Sequence, residues 1–341
     1  MQWHAITDTT ATCLPEKGTA QAGVYAYTGG DATKWVIALG DLVSDLQTTV
    51  TTSTPDGGNV TTTGMEMCID EAHCEVFAKA TFHRPPTKPL GAAIQSQDCK
   101  QNPTFCHFNH ALLPSCDFAL WMGAKDGVST SGVPLKFRGL KVLAATIKLL
   151  GGLGLAKAEE VLLTGFNQGG QAVIYHADRI GAMLKPLAPN LKVYKALPVD
   201  GIHPAHSLMF FASLNLQVIF AQKQANMTNA VAAVPPACTS TLSSAQQWKC
   251  LLTNHSLKYV KTPLYAVQQL ASVWDAKCGV LDGLVTGWGG AGASVATLNQ
   301  IVCDPPGNAW VVSFSNSSFS SSPLSCRFFS SSVGIRSVCM Y

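Results

Sequence analysis

Apolar residues gather in short runs that polar, glycine-rich or proline-rich stretches separate. Residues 23–29 (Gly-Val-Tyr-Ala-Tyr-Thr-Gly) and 35–39 (Trp-Val-Ile-Ala-Leu) predict the two strands of a hairpin. The region 108–122, which ends Phe-Ala-Leu-Trp-Met, predicts a short buried strand. Residues 41–64 are rich in Thr, Gly and Asp, so they predict an enlarged, irregular surface loop. The Pro- and Gln-rich stretch 84–104 predicts another connection.

The centre of the chain alternates between helical and extended patterns. Residues 135–150 carry apolar side chains at helical spacing, which predicts an amphipathic helix. Further patterns predict helices over 171–184 and 243–252 and strands over 161–164, 192–197 and 262–270. This alternation favours one α/β domain over residues 1–341, with a mostly parallel central sheet and helices on both faces. A Ser-rich C-terminal tail follows at 313–341.

Charge is scarce in this chain. Charged residues make up 13% of the sequence, about half the usual share. The net charge is +3 with no basic run, so we expect no nucleic-acid partner. The most apolar stretches, 140–156 and 208–221, contain Lys or Asn and are too short to span a bilayer. Because so few charged groups are available to keep the surface solvated, we expect protein subunits or a glycan to cover part of it as partners.

Cysteine usage points to an oxidising compartment. The sequence has 12 cysteines, none between Cys116 and Cys238, which predicts disulfides in the regions that flank a cysteine-free centre. Asn-x-Ser/Thr sequons agree with secretion; they start at Asn59, Asn226, Asn254 and Asn316. No leader is recognisable at Met1, so we expect a mature secreted or extracellular chain, or one in the lumen of the secretory pathway.

We expect neither a metal nor another cofactor. The sequence has no CxxC pair, which argues against a structural zinc site. Two local groups have ligand-like residue types, but each is too small for a closed zinc site once Cys106 is oxidised: Cys106 with His107 and His110, and His203 with His206.

A catalytic motif lacks its catalytic residue. Residues 161–171 read Val-Leu-Leu-Thr-Gly-Phe-Asn-Gln-Gly-Gly-Gln, which predicts a strand, a tight turn and a helix. That layout is typical of a nucleophile elbow, in which the turn lifts one side chain above the sheet. The lifted residue should be Ser or Cys, but here it is Asn167. An amide has no ionisable proton and forms no acyl-enzyme.

Several motifs, in order, resemble the pectin acetylesterase and Notum family. They are Cys13 before the first strand pair, Cys68-x5-Cys74, Asn102-Pro103, Pro114-Ser115-Cys116, Phe137-Arg138-Gly139, the elbow at 165–170, residues 196–201, Trp248-Lys-Cys250 and residues 259–265. The resemblance covers roughly residues 10–325. It implies an α/β-hydrolase-like carboxylesterase fold that acts on carbohydrate acetyl or protein-bound acyl esters.

The family's active-site positions are all changed in this sequence. The nucleophile position falls on Asn167, and the acid position falls on Ser272, a register that Trp274 supports. The histidine position falls on Ser321, in the segment 317–322. Of the oxyanion-hole glycines only Gly64 matches.

The order of residues along the chain agrees. In α/β hydrolases the histidine follows the nucleophile and the acid. No histidine follows His255 in this sequence, and no Gly-x-Ser-x-Gly occurs. We therefore predict a non-catalytic member that acts as a structural or interaction component of a secreted or cell-surface assembly.

Two alternatives stay open. One is an esterase with relocated machinery, built from Asp200, His203, His206 or His176, although a packed His176 is the simpler interpretation. The other is binding of a glycan or acyl chain in the vestigial pocket. The candidate pocket residues are Gly64, Asn167, Gln168, Asp200, His203 and Trp274.

Disulfide pairs follow from the resemblance and from proximity in sequence. Cys13–Cys116 is implied by the family, and Cys68–Cys74, Cys99–Cys106 and Cys238–Cys250 are expected as local pairs. The other four cysteines have three possible pairings, which the sequence does not decide; they are Cys278, Cys303, Cys326 and Cys339.

Overall fold

The computed structural model describes most of the first 268 residues. The described residues are 1–14, 17–18, 22–40, 49–53, 59–63, 68, 71–79, 81–82, 87, 93–202 and 216–268. The Ser-rich tail at 313–341 and several single residues of the sequence analysis lie outside them, namely Asn316, Cys278, Cys303, Cys326 and Cys339.

A six-stranded mixed sheet forms the centre of the fold. Its strands stand in the spatial order β1, β3, β8, β4, β11, β12. These strands are β1 (Gln2–Ala5), β3 (Gly23–Tyr27), β4 (Asp31–Leu39), β8 (Phe108–Leu113), β11 (Glu160–Phe166) and β12 (Val193–Val199). The four strands from β8 to β12 run parallel, and β1 and β3 add antiparallel pairs at one edge. The predicted α/β-hydrolase-like sheet is confirmed.

Short strand pairs flank the sheet. They are β2 (Lys17–Gly18) with β7 (Thr81–Phe82), β5 (Thr49–Ser53) with β6 (Asn59–Thr63), and β9 (Lys125–Val128) with β10 (Pro134–Phe137). The interpretation of 41–64 as irregular was therefore wrong for its two strand segments. Each segment has one Val among several Thr, and these β-branched residues suit a strand as well as a loop.

The predicted hairpin of β3 with β4 was also wrong. Strand β8 lies between them, antiparallel to β3 and parallel to β4. The three-residue connection 28–30 crosses the start of β8, and Gly30 makes this possible. A Cβ at Gly30 would lie 2.5 Å from the carbonyl of Phe108. The amide of Asn109 fixes the crossing, since Gly30 N donates to its Oδ1 at 3.0 Å.

Two long helices pack against the sheet. Helix α2 (Gly139–Gly152) buries Val142, Leu143, Ile147 and Leu150 at helical spacing, as expected. It begins four residues later than predicted, because Leu135 belongs to β10 instead. Helix α3 (Gln168–Leu187) follows the elbow and packs on β11 and β12.

Shorter elements complete the described chain. Helices α1 (Glu71–Lys79) and α4 (Leu216–Thr228) were not predicted, and the short α5 (Pro236–Thr239) and α6 (Thr253–Ser256) lie near the end. Residues 244–251 form a 3-10 helix, so the helical prediction there is confirmed. The predicted strand at 262–270 is wrong as a continuous strand, because the described residues show only single parallel bridges to β12 at Leu264 and Val267.

The described residues contain four disulfides, and these are the expected pairs. Cys13–Cys116 joins residues 103 positions apart, and the three local bridges are Cys68–Cys74, Cys99–Cys106 and Cys238–Cys250. Within the described chain, no helix is both long enough and apolar enough to cross a membrane.

Candidate functional site: an elbow without a nucleophile

The turn between β11 and α3 is strained at Asn167. This residue has φ 52° and ψ −115°, outside the left-handed helical region that Asn tolerates. Its N–H donates to the carbonyl of Val199 at 2.8 Å, and its own carbonyl accepts the N–H of Gln171 at 2.9 Å. The turn therefore has the sharp strand-to-helix form of a nucleophile elbow.

Glycines let the elbow close. A Cβ at Gly165 would lie 2.4 Å from Gly169, and one at Gly169 would lie 2.2 Å from the carbonyl oxygen of Leu39. Gly170 and Gly201 face each other just as tightly, since a Cβ on Gly201 would lie 2.2 Å from Gly170. Any side chain at these positions would push the helix away from the strand ends.

The same contacts bring Asp200 to the elbow. Asp200 lies between Val199 and Gly201, both of which touch the turn, and its own backbone has φ 51°. Its N–H donates to the carbonyl of Val267 at 2.8 Å. The carboxyl ends of β4, β11 and β12 thus meet at one edge of the sheet, where ligands bind in α/β folds.

The elbow side chains are partly accessible. Phe166 is 55% exposed, whereas Asn167 and Gln168 are half-buried. The side-chain oxygen Oε1 of Gln168 is buried, and among the described residues it has no hydrogen-bond partner. An unsatisfied buried acceptor is unfavourable, so this oxygen favours a donor from a ligand, water or another part of the chain.

Two consecutive hydrogen bonds anchor helix α3 below the turn. The amide nitrogen of Gln171 donates to the Tyr175 hydroxyl at 2.8 Å, and that hydroxyl donates to the carbonyl of Leu251. Burial raises the pKa of Tyr175, so the phenol stays neutral. These hydrogen bonds hold the helix below the elbow.

His176 is a packed residue and not a catalytic base. It is fully buried, and its Nε2 donates to the carbonyl of Leu120 at 2.8 Å. Burial lowers the pKa of His176 to about 4, which keeps the imidazole neutral. The relocated-machinery alternative therefore loses this histidine.

Sequence reasoning missed Asp117, a buried carboxylate in the segment after β8. Its oxygens accept the N–H groups of Ala119, Trp121 and Gly123 at 2.9–3.1 Å and face the Ser115 hydroxyl at 3.2 Å. Burial raises the pKa of Asp117, while these hydrogen bonds oppose that shift. The signal was a single charge inside an apolar run. Since its oxygens are used within the loop, Asp117 holds the 118–123 turn in place.

The remaining candidates lie outside the described residues. These are Gly64, His203, His206, Ser272, Trp274 and Ser321. Of the candidate pocket, the structure brings together Asn167, Gln168 and Asp200.

Two described groups have metal-ligand residue types close together. They are Cys99, Cys106 and His107, and Cys238, Cys250 and His255. In both groups the two cysteines are joined in a disulfide, which leaves one imidazole and no thiolate ligand. Neither group fits a metal ion.

The turn has the backbone form of a nucleophile elbow and bears the amide side chain of Asn167. An amide at the elbow donates and accepts hydrogen bonds but attacks no carbonyl carbon.

Known proteins match this chain in sequence. The profile of the family described as Pectinacetylesterase matches residues 56–305. Pectin acetylesterase 4 of Arabidopsis thaliana is 26% identical over 194 residues, covering 55% of this chain and 44% of the relative. Palmitoleoyl-protein carboxylesterase notum1' of Xenopus laevis is 20% identical over 284 residues, covering 79% and 51%. The chain spans about half the length of these relatives.

A solved structure shares the fold. The Wnt deacylase Notum from Drosophila superimposes with a TM-score of 0.65 at 20% sequence identity. The match covers 82% of this chain and 74% of the Drosophila chain.

Proposed function

Since the chain belongs to the pectinacetylesterase family of carboxylesterases, we propose that it is a non-catalytic member. It acts as a structural or interaction component of a secreted or cell-surface assembly. One observation carries this proposal: the strained elbow is kept, with Asn167 where the nucleophile of an esterase stands.

The sequence adds to this observation. The family's acid and base positions fall on Ser272 and Ser321, and the 86 residues after His255 contain no histidine. Removing the nucleophile alone lowers turnover by a factor on the order of 10⁶. His176 offers no replacement base, because it is buried, neutral and bonded to a backbone carbonyl.

The low charge and the disulfides support a role in a secreted or cell-surface assembly. A surface with few charged groups suits contacts with other protein subunits, because the centre of a protein–protein interface is depleted in charged residues. Four disulfides favour the lumen of the secretory pathway or the extracellular space.

Hydrolysis of an activated acetyl ester tests the loss of chemistry. The protein is compared with Asn167→Ala and Asn167→Ser between about pH 5 and 9, the range in which a general base works. We expect all three to match the uncatalysed rate, since the serine variant gains a hydroxyl without a base. Turnover in the parent that persists in Asn167→Ala would show a working relocated site, and a gain in the serine variant would show that a general base still serves the elbow.

Light scattering of the purified protein tests the assembly. We expect a mass above that of one chain at about micromolar concentration. The scaffold role would be contradicted if the protein has the mass of a single chain and no partner co-purifies with it.

Ligand binding at the elbow is the second candidate, and the buried Oε1 of Gln168, which has no partner in the described part of the chain, favours it. A donor such as a sugar hydroxyl would satisfy this oxygen. Calorimetric titration with an acetylated pectin oligosaccharide, chosen from the names of the plant relatives, is compared between the parent and Gln168→Leu. We expect weak binding that the leucine variant loses. Equal heats in both would remove this candidate.

A further inference from the structure

A groove lies beside helix α4, on the side where the β9–β10 hairpin meets it. Its volume is about 380 Å³, in the range of small-ligand sites, roughly 300–1,000 Å³. The apolar wall is formed by Val128, Leu135, Phe137 and Met227, and Val128 is 65% exposed. Leu135 and Phe137 are buried, so the apolar surface that the groove presents to solvent comes from Val128 and the half-buried Met227.

The polar wall of the groove contains a glycosylation sequon. Asn226 lines the groove and is exposed, and it starts the sequence Asn226-Met227-Thr228. The lysine side chain of Lys125 donates to the Asn226 carbonyl at 3.2 Å, and Ala124 N donates to the Thr228 carbonyl at 2.9 Å. These contacts hold the end of α4 against the hairpin, so a group attached to Asn226 starts at the edge of the groove.

We propose that Asn226 carries an N-linked glycan whose first sugars lie in this groove. The inference rests on the secretory route proposed above. Sugar rings have apolar C–H faces for Val128 and Met227, and their hydroxyls meet the charged side chains Lys125, Lys223 and Glu71 of the rim. The glycan thereby covers apolar surface that water otherwise touches.

The covalent step uses the ordinary donor of the secretory pathway, a lipid-pyrophosphate-linked oligosaccharide. A bond forms between the Asn226 side-chain nitrogen and the anomeric carbon of the sugar. The bond from that carbon to the pyrophosphate breaks, the lipid pyrophosphate leaves with the electron pair, and the amide loses one proton. Thr228 is fully buried and its hydroxyl donates to the Gln224 carbonyl at 2.9 Å, so the transfer precedes folding.

The second described sequon of known exposure gives a matched control. Asn254 is also exposed, and its Ser256 is also buried, but Asn254 does not belong to the lining of the groove. Asn226 and Asn254 are thus equally accessible to glycosylation in the unfolded chain, but in the folded protein only Asn226 lies beside the groove.

The experiment expresses the chain in eukaryotic cells with an added secretion leader, and mass spectrometry measures glycan occupancy at both asparagines. An endoglycosidase then releases the glycans from the native protein and, separately, from the denatured protein. We expect occupied Asn226, native release about tenfold slower there than at Asn254, and equal rates after denaturation. Val128→Ser, a change at an exposed position, should abolish most of this protection at Asn226 alone.

An unoccupied Asn226 in the secreted protein would overturn the inference, as would equal native release rates at the two sites. If Val128→Ser fails to be secreted, the native-to-denatured comparison of the parent still decides. The secretory route is tested separately, by fractionating cells that make the natural protein, so failure of that route is distinguishable from failure of the groove contact.

Discussion

The backbone N–H of Asn167 donates to the carbonyl of Val199 at 2.8 Å, which joins the elbow to the end of the neighbouring strand. This bond holds Asn167 at φ 52° and ψ −115°, a conformation that opposes the preference of an L-residue. The fold thus keeps the strain of a catalytic turn in a chain whose turn bears an amide. We infer that the geometry is retained because the glycine contacts beneath it hold the sheet and α3 together.

Replacing Asn167 by glycine should relieve that strain. We expect Asn167→Gly to raise the free energy of unfolding by about 1 kcal/mol, because such backbone strain is worth about 1–3 kcal/mol. Asn229, which has φ 57° and ψ 37° in the left-handed region, is the matched control, and Asn229→Gly should change stability less. Urea unfolding of both variants measures the difference. A loss of stability in Asn167→Gly would show that contacts of the side chain outweigh the strain.

Adding a methyl group at Gly169 should open the elbow. A Cβ there would lie 2.2 Å from the Leu39 carbonyl oxygen, a backbone atom that has little room to move. We expect Gly169→Ala to lower the free energy of unfolding by about 1–3 kcal/mol, as overpacking does. Gly152→Ala is the control, since a Cβ at Gly152 meets nothing within 4 Å. Denaturant unfolding that ranks the two variants equally would contradict the tight approach.

Burial of His176 predicts a pH dependence of stability. Its pKa is about 4 in the folded protein, below the ordinary value of 6.5, so the unfolded chain binds more protons between these values. Stability should therefore fall as the pH falls from about 6.5 to 4, by up to about 3 kcal/mol from this residue.

The variant His176→Gln isolates that contribution. Glutamine keeps a donor for the Leu120 carbonyl and does not titrate. His110 is also buried with a lowered pKa and remains in both proteins, so the difference between the unfolding curves reports His176. If the free energy of unfolding depends on pH in the same way in parent and variant, His176 is not buried in its neutral form.

The bridge between Cys13 and Cys116 should matter more than the local bridge between Cys99 and Cys106. The two pairs are 103 and 7 residues apart, and loop-closure entropy makes the long bridge worth about 2 kcal/mol more. Thermal melting of the two double alanine variants measures this. Equal melting temperatures would mean that the unfolded chain is already restricted near Cys13.

The local sequence predicts the elbow, whereas the strand order of the sheet depends on pairing between residues far apart in the chain. Gly165, Gly169 and Gly170 lie next to the turn that needs them, so the pattern predicts the turn directly. The order of β3, β8 and β4 depends on Phe108, which is far along the chain from Gly30. A sequence pattern predicts each strand but not which distant strand enters between two close ones. Helices α1 and α4 escape prediction because neither sequence carries a long periodic run of apolar residues, so their stability comes from tertiary packing.

Covalent labelling by a serine-reactive fluorophosphonate tests the central claim without assuming a substrate. An esterase with an activated hydroxyl, wherever it lies, forms one stable adduct per chain. The folded protein is incubated with the probe between about pH 5 and 9 and its intact mass is measured, with a heat-unfolded sample as the control. The account predicts no stoichiometric adduct on the folded protein. One adduct per folded chain, absent after unfolding, would show that the nucleophile has moved from the elbow and that the chain is an enzyme.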